Sequence, residues 1–492
     1  MLPLAALCIS PELLLLSGCT TDSLDRAPVS ASAPWSPDPQ SRPAPGARFT
    51  IPANPIVAEV TPPPAISETH HYQLSELIDM AQMNNPDTRI AWQQARQAAL
   101  AVGMAEATFL PIISASVLGG YQKTHTPLPY DTSLNTTDSA IIPGVALQWL
   151  VFDFGQRSAL VDAAKNNAFA ANISFNGIHQ KLIYDVTRAY YQYGAALSRV
   201  GIAKSALHNS EQILAAVQSR RQSGIATTVE VAQVTQLVAQ ARLNRVISQG
   251  AEREAWQNLL GAMGISPSTR FTISYSTDQS LPPPRSEPGE AMIKMALARR
   301  PDILASYAAL QAAHSGIDAA EADFLPKVYL AGAIAGGNGR FDVQGLPAIG
   351  SQTSSSNILI GISVPIYDGG VRTARVQEAQ SRATAAGETL KKTQDLAVRE
   401  IVVSASTLRS ALESNDAALS LVSTAIVTYD AALEAYRNGV GTVTDANAAA
   451  NGLLAAQQMS TDAHAAALIA AANLAFVMGE MTQAPANDVS SG

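Results

Sequence analysis

Cysteine is almost absent from this chain of 492 residues: Cys8 and Cys19 are the only two, and both lie near its start. That excludes a disulfide framework and a cysteine-based metal site from everything that follows them. Charged residues make up only 15% and aromatics 5%, a balance that fits long Ala-rich helices better than a compact aromatic core. The net charge is −8 with no basic tract, which argues against a nucleic-acid partner. Past the N-terminus, no uninterrupted apolar run reaches the roughly 18 residues of a membrane-spanning helix. The best stretch, Ala463 to Met478, contains His464 and Asn473 and reads as a packed helix. If such a chain crosses a membrane, it does so as a closed barrel. Nucleophile motifs, phosphate loops and histidine pairs at metal-ligand spacing are missing as well, so the sequence does not read as an enzyme and implies no cofactor or metal.

The N-terminus reads as an export signal. Apolar residues dominate Met1 to Leu16, and Leu16-Ser17-Gly18-Cys19 follows. Small residues before a cysteine resemble a lipoprotein processing site, at which residues 1–18 are removed and Cys19 becomes the acylated first residue. Residues 28–64 then hold eleven prolines, so 19–71 is read as an extended tether behind a lipid anchor.

Beyond the tether, one unit is written twice at a constant offset of 215 residues. Met80-Ala81 pairs with Met295-Ala296, Pro86-Asp87 with Pro301-Asp302, and Phe109-Leu110-Pro111 with Phe324-Leu325-Pro326. Asp153, Gly155 and Arg157 pair with Asp368, Gly370 and Arg372, and Gly224 and Thr227 with Gly439 and Thr442. Two Ala-rich helices matched by chance would not keep Pro, Asp and Gly in phase, so the chain is a tandem duplication. The repeats are assigned to 72–264 and 287–479, joined by a linker at 265–286 and followed by a disordered tail at 480–492.

Each unit reads helix, strand, strand, helix. A short helix (72–84, 287–299) precedes one that starts at Pro86 or Pro301 and ends at Pro111 or Pro326. A strand, a polar loop and a second strand follow. In that second strand Ile360, Ile362, Val364 and Ile366 alternate with Gly361, Ser363 and Pro365, and Val145, Leu147, Trp149 and Val151 hold the same positions in the first copy. Asp153 and Asp368 are read as caps of the next helix, with Gly155 and Gly370 permitting the bend. That helix runs without proline for about 67 residues, on the order of 100 Å. In the second copy it carries a coiled-coil seam from Val398 through Ile401, Leu408, Leu412, Asn415, Leu419, Ile426, Tyr429 and Leu433 to Tyr436. In the first copy the seam blurs at Lys204 and Glu211. Gly224 and Gly439 then turn the chain into a returning helix. Four strands cannot close a barrel that needs about eight, so other copies must complete it, with the apolar face to lipid and the small, polar face to a lumen.

The duplicated unit, the Phe-Leu-Pro and Tyr-Asp-Gly-Gly signatures and the turn Tyr436-Arg437-Asn438-Gly439-Val440-Gly441-Thr442 resemble TolC-like outer-membrane factors over roughly 72–480. With the processing site at Cys19, the chain is most similar to the lipoprotein branch, NodT-like or OprM-like. The resemblance implies a mainly α protein with a membrane β-barrel: a homotrimer with a 12-stranded barrel on a long periplasmic α-helical barrel. It also implies a periplasmic adaptor, an inner-membrane pump and outer-membrane lipid as partners, and efflux of small molecules from a Gram-negative cell. Family members close the tunnel with a tyrosine three residues before the second turn glycine and aspartates six and nine after it. Tyr436 and Asp445 match; Ala448 does not, and Gly441 stands where the family can show a basic residue. One alternative keeps the fold and changes the cargo to secreted protein. Another is a periplasmic coiled-coil scaffold lipoprotein without a pore, which predicts no paired strands inside the repeats.

The N-terminal reading predicts a mature chain beginning at acylated Cys19. Intact-mass analysis should show loss of residues 1–18 and a lipid adduct on that cysteine; an unmodified Cys19 would remove the anchor.

Overall fold

The long helices set the frame, and they begin where the duplication places them. The computed structural model describes residues 27–28, 31, 55–58, 66–67, 69–130, 132–276, 279–283 and 288–481. Cys19 and most of the tether lie outside the described residues. The chain divides into Met1–Pro62 and Pro63–Gly492. In the first unit the described structure is a 3-10 turn at Pro55–Ala58.

The second unit opens with β1 (His71–Tyr72), α1 (Leu74–Asn84), α2 (Pro86–Ala107), β2 (Ile112–Leu128), β3 (Thr132–Phe152), α3 (Gln156–Gln222) and α4 (Thr228–Met263). After β4 (Thr272–Ile273) the unit recurs as α5 (Glu290–Arg299), α6 (Pro301–Ala322), β5 (Lys327–Val343), β6 (Ile349–Ser363), α7 (Val371–Arg437) and α8 (Val443–Val477). Pro86 and Pro301, Gln156 and Val371, and Thr228 and Val443 open equivalent helices 215 residues apart. α3 and α7 are each 67 residues long.

Several boundaries differ from the sequence reading: β6 ends at Ser363, short of Val364 and Ile366, and the short helices begin at Leu74 and Glu290. α2 and α6 stop at Ala107 and Ala322, not at the prolines. Thr108 to Leu110 and Asp323 to Leu325 instead form tight turns with bonds such as Leu110 N to Ala107 O, 3.0 Å, and Leu325 N to Ala322 O, 3.1 Å. Pro111 and Pro326 disfavour helix in the residue before them, so the chain leaves the helix ahead of each proline. The expected polar loops are largely strand: β2 pairs with β3 from Ile112↔Gln148 to Leu128↔Thr132, leaving only a tight turn. Polar side chains on both faces of these strand ends hid their extended form.

The four long strands form one antiparallel sheet ordered β2-β3-β5-β6. Both outer strands are exposed along their whole length in the protomer. The paired strands inside the repeats contradict a scaffold made of coiled coil alone.

α3 packs on α2, α4, α6 and α8, while α7 packs on α6 and α8. The first-copy seam does not fade where the charges appeared: Ala203, Leu207, Ser210, Ile213 and Val217 are buried. Lys204 and Glu211 are exposed beside it. In the second copy, Ile401, Leu408, Leu412, Asn415, Tyr429, Leu433 and Tyr436 are buried, but Leu419 and Ile426 remain 54% and 41% exposed. α7 and α8 each contain a stretch apolar and long enough to cross a membrane by length and composition. Their mutual packing into a hairpin and the incomplete cover of their apolar surface instead suit the wall of a larger helical assembly.

The main core is a belt around the middle of α3. Leu77, Ile78 and Ala81 of α1 meet Ile183, Val186 and Tyr190 of α3 and Leu259, Leu260 and Met263 of α4. The segment after Gly264 belongs to this belt, with Ile265, Phe271 and Ile273 buried in it. β4 pairs in parallel with β1, and the Tyr190 hydroxyl donates to Ser274 O. Met481, in the expected tail, is also buried here. A Cβ on Gly194 would stand 2.0 Å from a Tyr275 ring carbon, so the absent side chain is what seats the linker on α3.

Gly194→Ala should therefore lift Tyr275 off α3 and destabilise the belt by about 1–3 kcal/mol, the usual range for overpacking. In a denaturation cycle its effect should shrink when Tyr275 is already Ala; strict additivity would mean the two residues are not coupled.

Candidate functional site

Three features along the long axis can serve transport: the two faces of the sheet, the junction between strands and helices, and the ends of the helical hairpins. Strand register sorts the sheet into two chemistries. Residues in one lateral row project to the same face. On one face a row holds Ile113, Leu147, Gly332 and Ile358, and another holds Trp149, Leu330 and Ile360. On the other, Ser114, Ala146, Ala333 and Asn357 form one row and Ser116, Gly144, Ala335 and Ser355 the next. An apolar outer band with a small, neutral inner wall is what a barrel in a bilayer needs. The strands run 17, 21, 17 and 15 residues, well beyond the roughly ten that cross the hydrocarbon.

At the junction the N-cap positions fall on Gly155 and Gly370, and Asp153 and Asp368, two residues earlier, bond into the first turn of each helix. Asp153 Oδ2 accepts from the Arg157 backbone N–H at 3.0 Å and from its Nε at 2.9 Å; Asp368 repeats this with Arg372 at 3.0 and 2.7 Å. Gly155 and Gly370 sit in the left-handed region with φ of 99° and 91°, as the bend requires. Sequence reasoning recorded the arginines only as repeat markers. Arg157 Nη1 in fact donates to Thr108 O at 2.9 Å and to Leu150 O at 2.7 Å, and its guanidinium lies 4.5 Å from the Phe109 ring centroid. Arg372 covers Phe324 in the same way at 5.1 Å. The Phe-Leu-Pro and Asp-x-Gly-x-Arg signatures are thus two sides of one clasp that ties the end of a helix to the start of the next. Their recurrence at a fixed offset was the available signal. The clasps differ in burial: the Asp153 side chain is 5% exposed, the Asp368 side chain 31%.

At the hairpin ends, Gly224 and Gly439 take φ of 74° and 81°. Thr227 and Glu230 form a capping box on α4, and Thr442 and Asp445 form one on α8. Asp445 Oδ2 accepts from Thr442 Oγ1 at 2.6 Å, which gives Asp445 a structural task at the start of its helix. The side chain is nonetheless exposed. Tyr436 is 1% exposed, packed with Ile213, Val217 and Val234 of the first hairpin and with Val443 and Ala446 of its own. Burial raises its hydroxyl pKa, nearby Glu230 adds to the rise and Arg220 opposes it. The hydroxyl has no hydrogen-bond partner among the described residues. The structure thus brings Tyr436 onto the first hairpin and leaves Asp445 at the surface one turn away. Among the described residues no group of His, Cys, Asp and Glu could hold a metal ion.

A sheet whose one face is rich in large apolar side chains and whose other carries rows of small uncharged ones, set on helices about 100 Å long, defines the subunit of a membrane conduit. The sequence pattern described as outer membrane efflux protein matches twice, at 77–265 and 292–480. The chain belongs to that family and is an outer-membrane channel of an efflux system in a Gram-negative cell, extending into the periplasm. It is 26% identical to Protein CyaE of Bordetella pertussis over 82% of this chain and 83% of that one. To outer membrane protein OprJ of Pseudomonas aeruginosa it is 28% identical, over 67% of each. Its fold is shared with the CmeC outer membrane channel of Campylobacter jejuni, at a TM-score of 0.70 and 19% identity, covering 83% of this chain and 86% of that one.

The two clasps predict unequal costs. Arg157→Ala leaves a carboxylate buried without its partner, a loss of about 3–5 kcal/mol. Arg372→Ala should cost clearly less, because water reaches Asp368. Comparing the temperatures at which each variant unfolds tests this; equal losses would show that burial of the carboxylate is not what matters.

Proposed function

We propose that the chain acts as a homotrimer, a passive conduit with no catalytic step, anchored to the outer membrane through a lipid on Cys19. The observation that carries this is the four-stranded sheet with two open edges. Backbone groups at such edges cannot stay unpaired inside hydrocarbon. Pairing β6 of one protomer with β2 of the next closes the ring, and three sheets of four strands give twelve. Leu419 and Ile426, exposed on α7, supply apolar surface for the matching helical wall. The hairpin ends then point away from the membrane, toward a periplasmic adaptor that couples the channel to an inner-membrane pump. Small molecules are the cargo this reading favours, since the uncharged rows from Ser114 to Gly120 offer no ionic group to hold them.

The constriction is assigned to the hairpin ends, with Tyr436 and Asp445 as its candidates. Three exposed Asp445 carboxylates brought together on a threefold axis would favour cations and their block by multivalent ions. In mild detergent the protein should run as a trimer and form channels in planar bilayers. Asp445→Ala should leave conductance similar or higher and weaken cation preference. A folded, monodisperse monomer would sink the architecture. A variant matching wild type in selectivity would move the constriction elsewhere.

A further inference from the structure

The ends of the two hairpins are joined by a residue to which nothing in the resemblance assigns a role. Arg220, in the last turn of α3, reaches across to the second hairpin and donates from Nη1 to Tyr436 O at 2.7 Å. Its guanidinium carbon lies 5.0 Å from the Tyr436 ring centroid. Nη1 and Nη2 lie 3.6 and 3.7 Å from where a Cβ would stand on Gly439. Tyr436 is one residue from the end of α7, so the carbonyl that Arg220 meets belongs to the negative end of a 67-residue helix.

The duplication supplies an internal control. In the first hairpin Gly224 N donates to Arg221 O at 2.9 Å, and in the second Gly439 N donates to Tyr436 O at 3.1 Å. The turns are alike. Only the second receives an arginine among the described residues, because the residue equivalent to Arg220 is Ala435. A turn of this kind therefore forms without the arginine, and what Arg220 adds lies between the hairpins. Gly441 points the same way: a Cβ there would stand 3.0 Å from Ala435 Cβ, a tight contact, and a glycine gives the turn no cation of its own at that position. The cation that serves the second turn comes from the first hairpin.

We propose that Arg220 is a positioning residue for Tyr436: it caps α7 from the neighbouring hairpin, so that separating the hairpins uncaps α7 and loosens its last turn. Opening of the hairpin ends is then coupled to fraying of Tyr436 to Gly441, not to rigid-body motion alone. The clasp is built to release. Arg220 Nε and the Tyr436 hydroxyl are both buried without a partner among the described residues, and a movement that wets them relieves that desolvation. The consequence for conduction rests on the assignment of the constriction to the hairpin ends; the coupling between hairpins does not.

Hydrogen exchange on the intact trimer in detergent separates the two. In Arg220→Ala the amides of Gly439, Val440 and Gly441, which bond back to α7, should exchange about tenfold faster. Those of α1 should be unchanged, which excludes general unfolding. Arg220→Lys, keeping the charge but not the planar fork, should fall between wild type and Ala. Arg221→Ala removes the same charge one residue away and should leave the turn protected. Unchanged exchange in Arg220→Ala overturns the clasp, and so does an equal effect from Arg221→Ala. In a planar bilayer Arg220→Ala should also raise single-channel conductance. Faster exchange with wild-type conductance would uphold the clasp and remove the constriction from the hairpin ends.

Discussion

Everything in this molecule follows from backbone that a single copy cannot pair. β2 and β6 present full rows of amide and carbonyl groups on either side of a four-stranded sheet. In water such edges invite aggregation; in hydrocarbon they are intolerable. The protein resolves this by making its fold a fraction of a structure. The long helices inherit the same incompleteness, since part of the α7 seam is bare in the protomer. What would be a liability in a soluble domain is here the instruction for assembly. The strand-to-helix clasps keep the two incomplete surfaces in step: Arg157 bonds the turn after α2, the end of β3 and the start of α3, while Arg372 bonds Pro365 O and Asp368 and covers the Phe324 ring.

Much of this was legible in the residues because it is written as period and punctuation. The offset of the repeats, the length of the proline-free helices and the alternation of Val145, Leu147 and Trp149 need no tertiary knowledge. What could not be read depends on side chains that reach across the chain. Arg157 and Arg372 carried positions but no partners. The segment after Gly264 looked like a spacer because its apolar residues have no regular period; Gly194 was needed to show where Tyr275 goes. Lys204 and Glu211 obscured a seam that continues one residue away from them. Strand ends with polar side chains on both faces looked like loops. Tyr436 and Asp445 were found by family pattern, and the structure gives them different physical settings, one buried and one in a capping box.

The two repeats also show how a duplicated unit acquires direction. The junction clasps keep the same Asp–Arg bond and differ in burial, while the hairpin ends have diverged in residue type: an arginine and an alanine stand at equivalent positions, and one hairpin serves as donor and the other as acceptor. Symmetry at the membrane and asymmetry at the far end suit a body that is fixed at one pole and adjustable at the other.

The inner face of the sheet has a consequence of a different kind. Along the four rows from Ser114 to Gly120, that face bears Ala, Gly, Ser, Thr, Asn, Leu and Ile, and no ionisable side chain. Protons arriving from outside the cell therefore find nothing on that stretch to titrate. The electrical character of these four rows stays constant through changes in external acidity, and any sensitivity to pH has to originate elsewhere along the conduit, as at Asp138 in the next row outward. Acidification outside would leave this stretch of the exit as neutral as before.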